Sequence, residues 1–135
     1  MRKLFAAGAV ALLSCLSVSS AASAEESWCT IPQTQGNGTI NVFIVPQTGD
    51  GCSVLRMVVQ FAPVPWGEPS QTGFFRAFGP NGHLGDSVTK YWTYQESYRV
   101  EVNQKTFDGA LWCGEFWIQT GDTFTRATEP VCAEF

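Results

Sequence analysis

Hydrophobic and polar positions along this chain alternate in short runs with a period of two. In residues 53–61 (SVLRMVVQF), Leu55, Met57, Val59 and Phe61 fall on one face, and Arg56 and Gln60 fall on the other. Residues 97–102 (SYRVEV) place Tyr98, Val100 and Val102 inward and Arg99 and Glu101 outward. Successive side chains of a strand point to opposite sides, so each run predicts a strand with one buried face. Residues 39–45 (TINVFIV) form a dense β-branched run, and the tight link through Gly49-Asp50-Gly51 predicts a hairpin with the strand that follows.

A third strand is predicted over residues 73–78 (GFFRAF), ending at the turn signal Pro80-Asn81-Gly82. Residues 87–95 (SVTKYWTYQ) give a fourth. Residues 110–119 (ALWCGEFWIQ) are apolar on both faces apart from Glu115, which predicts a central strand buried on both sides. Thr120-Gly121-Asp122 then turns the chain into a last strand over residues 124–128. About seven short strands with frequent turn signals predict a small antiparallel β-sandwich, immunoglobulin-like or related. No segment keeps a 3.6-residue period over three turns.

Composition agrees with this reading. Between Glu25 and Phe135, Val, Ile and Thr number 26 while Leu and Ala number 8, a balance that excludes a helical bundle. Met1-Arg2-Lys3, an apolar run over residues 4–16 and the small residues of Ala22-Ser23-Ala24 predict an export signal cleaved after Ala24. That run is too short to cross a bilayer as a helix. Leu12-Leu13-Ser14-Cys15 offers a weaker alternative, a lipoprotein anchored at Cys15. The expected organisation is therefore a signal over residues 1–24, an extended polar segment over 25–38 and the sandwich over 39–135.

Signal removal takes Cys15 and leaves Cys29, Cys52, Cys113 and Cys132, an even set that reads as two disulfides in an exported chain. Four cysteines allow three pairings. Cys29–Cys52 and Cys113–Cys132 are favoured, because each bond brackets a predicted strand or hairpin. Zinc fits poorly, since there is no Cys-x-x-Cys and only one histidine, His83. No other cofactor or metal is expected.

The chain carries 8 Lys+Arg against 12 Asp+Glu, a net charge of −4, and losing Arg2 and Lys3 with the signal leaves −6. An acidic surface disfavours nucleic acid and anionic membranes and favours a neutral or basic partner. Catalytic sets are sparse. His83 lies in a loop string without a nucleophile elbow. Glu115 beside Trp117 could act as a general acid, but a place facing solvent or a pairing with Arg99 or Arg56 is the simpler expectation. The Asp-Gly loops at Asp50 and Asp122 each hold one acid, too few for calcium.

What remains is aromatic display. Prolines around Pro65-Trp66-Gly67 hold the chain extended, so Trp66 is either a cap over the core or a rigid exposed anchor. Trp92 and Tyr94 share one strand face and Tyr91 takes the other; such rings serve more often as core than as a sugar platform. The expectation is a secreted, non-enzymatic protein-binding module, an adaptor or inhibitor, with Pro65, Trp66 and Gly67 as primary contacts and Tyr91, Trp92 and Tyr94 as secondary ones. A carbohydrate-binding module using Trp66, Trp92 and Tyr94 is the alternative, followed by a small hydrolase.

Overall fold

The computed structural model describes Cys29, Pro32 and residues 34–49, 51–63 and 70–135. Ten strands occur among them: β1 (Gln35–Gly36), β2 (Ile40–Pro46), β3 (Ser53–Phe61), β4 (Ser70–Gly79), β5 (Gly82–Asp86), β6 (Lys90–Thr93), β7 (Ser97–Lys105), β8 (Leu111–Thr120), β9 (Thr123–Arg126) and β10 (Val131–Glu134). They form two antiparallel sheets. One has the order β1-β2-β3-β7; the other runs β10-β8-β4-β5, with β6 also on β4 and β9 also on β8.

The chain crosses between sheets after β3, after β6 and after β7, and across the core β2 faces β8 and β10. Ile40, Val42 and Ile44 of β2 meet Phe75 and Ala77 of β4 and Trp112 and Phe116 of β8 in one buried cluster. Phe61, Phe75 and Phe116 form its centre, with centroid separations of 5.2, 4.7 and 4.8 Å and tilted or edge-on rings. Such geometry suits the ring quadrupole better than a face-to-face sandwich. Gly114 of β8 faces the other sheet at close range: a Cβ there would stand 2.8 Å from Val59 and 2.9 Å from Val42. Any side chain would drive the sheets apart.

The antiparallel sandwich and both favoured disulfides, Cys29–Cys52 and Cys113–Cys132, are present. The strand count exceeds the seven expected, because β1, β5 and β10 are short segments without a strong run of their own. Gly82–Asp86 (GHLGD) is extended because it pairs along β4, and Val131–Glu134 because it pairs with β8 and is clamped to it at Cys132↔Cys113. Tertiary pairing here overrides weak local propensity.

Leu55 also departs from expectation. Val54 is fully buried in its place, while Leu55 is only half-buried. Register shifts against both β2 and β7 occur at this point, with Asn103 on β7 in the left-handed region at φ 49°. One extra residue exchanges the faces of a strand, and the regular alternation resumes from Met57. Tyr98, Val100 and Val102 do face inward.

Cys113–Cys132 joins directly paired positions of β8 and β10 and closes a separation of 19 residues. Replacing both cysteines with alanine is expected to cost about 3 kcal/mol. Urea unfolding checks this: the midpoint should fall substantially, and an unchanged midpoint would show that the bond adds nothing.

Candidate functional site

The outer face of the six-stranded sheet carries the most developed constellation of side chains. It arises from three alternating segments. On β4, Phe74, Arg76 and Phe78 point away from the core; on β8, Cys113, Glu115 and Trp117 do so; on β9, Phe124 and Arg126 do so. Strand register aligns them into rows. Phe74, Trp117 and Arg126 form one row across β4, β8 and β9, while Asp86, Arg76 and Glu115 form the next across β5, β4 and β8.

Arg76 ties the rows together. Its guanidinium carbon lies 5.2 Å from the ring centroids of both Phe74 and Trp117. Its Nε and Nη2 donate to the two Asp86 carboxylate oxygens at 2.7 and 2.8 Å. A planar guanidinium can stack and form a two-pronged carboxylate bond at once, which a lysine cannot do. The Phe74 and Trp117 planes are parallel within 2° at a centroid separation of 6.2 Å, and Phe124 meets Phe74 edge-on at 5.1 Å.

Glu115 is buried, with 5% exposure, and both its oxygens are engaged. Trp117 Nε1 donates to Oε2 at 2.8 Å and Arg126 Nη1 to Oε1 at 3.3 Å. Arg126 Nη2 also reaches both oxygens of Glu129 at 3.1 Å. The expectation that Glu115 faces solvent or pairs with Arg99 or Arg56 is therefore corrected on both counts. Those arginines sit on the other sheet, where Arg56 pairs with Glu101 and the Arg99 Nε donates to Ser97 Oγ.

Electrostatics follow from these contacts. The bond from Arg76 holds the Asp86 carboxyl down to about 2 from an ordinary 3.8, against the opposing effect of partial burial and with help from His83 Nε2 at 3.0 Å. Asp86 in turn raises the Arg76 guanidinium. On the other sheet, burial pushes the Tyr98 hydroxyl up. A carboxylate held below its unfolded value stabilises the fold above that value, and the contribution is lost as pH falls from about 4 to about 2. Asp86 is 35% exposed, so solvent screening limits the effect to about 1 kcal/mol. Wild type should therefore be more stable than Asp86→Asn at pH 7, and the gap should close by pH 2 in urea titrations. A gap independent of pH would contradict this.

The described sequence-derived contact residues, Tyr91, Trp92 and Tyr94, do not share one face. Pro65, Trp66 and Gly67 lie outside the described residues. Trp92 is buried at 5% exposure, stands edge-on to Phe75 at 5.1 Å and donates its indole N–H to the Gly73 carbonyl. Lys90 Nζ lies 4.2 Å from its ring centroid. Tyr94 packs partly buried against the same core. Tyr91 alone faces outward, 61% exposed, with its hydroxyl bonded to Ser70 Oγ at 2.7 Å. It pairs with Thr72, two residues from Phe74, and so borders the aromatic face. The predicted opposition of Tyr91 to Trp92 and Tyr94 holds, but core packing takes the last two.

Phe74, Arg76, Asp86, Phe124 and Arg126 were not singled out from the sequence. For all but Asp86 the signal was the alternation within GFFRAF and TFTR; what joins the five is the register of β4 with β5 and β8 and of β8 with β9. Among the described residues, no group of three His, Cys, Asp or Glu side chains could hold a metal ion. No helix among them is long and apolar enough to cross a membrane.

Fold and site together define a disulfide-stapled antiparallel β-sandwich with an aromatic and arginine-bearing outer face. No protein-family model matches the chain, and no curated protein or solved structure matches it significantly.

Proposed function

We propose that the protein is a secreted binding module, an adaptor or inhibitor, whose six-stranded outer face engages another extracellular protein. One observation carries the reading: Phe74 and Trp117 lie parallel against Arg76, which is itself pinned by Asp86, and Phe124 packs edge-on to Phe74. Side chains already fixed lose little entropy on binding, and Trp, Tyr and Arg dominate the energetics of protein interfaces. On this face, the carboxylates of Asp86, Glu115 and Glu129 meet the guanidinium groups of Arg76 and Arg126. That slight acidic excess, on a chain of net negative charge, favours a neutral or basic partner.

The export signal and the two disulfides support action outside the cell. The Trp66 loop belongs to the proposal on sequence grounds alone, and Trp66→Ala is its separate test. If Trp66 is an anchor, affinity falls and melting temperature stays; if it is a cap, the reverse holds.

Carbohydrate binding is the second reading, favoured by the parallel planes of Phe74 and Trp117, since flat aromatic surfaces stack on sugar rings. Tryptophan fluorescence titration with soluble and insoluble glycans separates the two. A saturable shift abolished by Phe124→Ala, with no protein partner enriched, would select the glycan.

A further inference from the structure

We infer that β7 is the interface of a symmetric dimer, in which two copies pair this strand antiparallel and join their four-stranded sheets. β7 ends the order β1-β2-β3-β7 and has nine residues, whereas β1, β5, β6, β9 and β10 at the other margins have two to five. The stretch of β2 that β1 does not reach ends in Pro46, which cannot donate to a ladder. A long unpaired margin is a ready template for another strand.

The occupant is a second copy because the strand is complementary to itself. In an antiparallel pair, residues on the same face must oppose each other. Centring the twofold axis on Val100 satisfies this and places Arg99 against the second copy's Glu101, twice. On the inner face it sets Tyr98 against Val102 and Val100 against Val100. Tyr98 and Val100 are only partly buried in the single chain, so the core is open at this margin. Centring on Arg99 or Glu101 would instead oppose like charges, which destabilises a cross-strand pair.

Two further observations fit this register. Arg99 has no carboxylate partner among the described residues, its Nε meeting only Ser97 Oγ at 3.3 Å. Asn103, at φ 49°, interrupts the regular strand three residues beyond Val100, and Ser97 begins it three residues before. The available ladder is thus symmetric about the proposed axis. Self-complementary patches of this kind generate closed dimers, not open fibres.

Charge reversal tests the register directly. By sedimentation velocity from micromolar to millimolar concentration, wild type should show a concentration-dependent dimer. Arg99→Glu should set acid against acid at both opposed pairs, and Glu101→Arg should set base against base. Each variant should weaken self-association at least tenfold. An equimolar mixture of the two should restore the dimer, because every opposed pair is then of opposite sign. Both positions are exposed, and because Glu101→Arg also removes the ion pair of Glu101 with Arg56, melting curves are recorded for each variant to establish that it folds. A wild type that stays monomeric throughout, either variant dimerising like wild type, or a mixture that stays monomeric would overturn the inference.

Discussion

Phe75→Ala is expected to destabilise the fold by about 3–5 kcal/mol, the largest effect of any single truncation considered. Phe75 is fully buried, and its ring meets Phe61, Phe116 and Trp92 at centroid distances of 5.2, 4.8 and 5.1 Å. Removing it leaves a void bounded by three large rings from β3, β8 and β6. Rigid strands on both sides keep those rings from collapsing into the space, so the transfer and cavity costs add. Phe74, its neighbour in sequence, provides the control. It faces outward, and Phe74→Ala should cost well under half as much. Denaturant unfolding of both variants checks the comparison; equal losses would mean that the two faces of β4 have been wrongly distinguished.

The second large effect concerns binding. Trp117→Ala should weaken association with the partner by more than about 2 kcal/mol, roughly thirty-fold in Kd. Trp117 lies parallel to Phe74, shares the Arg76 guanidinium with it and donates to Glu115, so its loss frees three neighbours at once. Some stability is lost too, because Glu115 is buried and forfeits a hydrogen bond. Phe124→Ala keeps the two effects apart. At 40% exposure it contributes little to the core, and it should reduce affinity while leaving the melting temperature almost unchanged. Isothermal titration calorimetry with the isolated partner gives the affinities.

How far the sequence reveals this molecule depends on whether a feature is local. Period-two alternation in residues 53–61 and 97–102 is local, and it marks the inward faces of β3 and β7 apart from Leu55. That residue moved because register shifts on both sides of β3 fall there, and a shift depends on neighbours that alternation does not contain. The disulfides were legible because each closes a short separation, 23 residues for Cys29–Cys52 and 19 for Cys113–Cys132.

The site was less legible. The Tyr-Trp-Tyr cluster drew attention as a dense aromatic string, yet Trp92 and Tyr94 spend their rings on the core. Phe74 stands far in the chain from Trp117 and Phe124, and only the pairing of β4 with β8 brings the three rings together. Glu115 shows the same limit. Its oddness within an apolar strand was plain, whereas its partner depended on which strand lies beside β8, and that strand is β9, bearing Arg126.

Co-purification from culture fluid, with wild type beside Phe124→Ala and Tyr91→Ala, tests the role of the outer face most directly. Wild type should enrich a defined extracellular protein of neutral or basic surface at fixed stoichiometry, and the two variants, folded and equally stable, should lose it. Retention of that partner by both variants, with its loss on Trp66→Ala, would contradict the assignment and move the binding surface to the proline-rich loop.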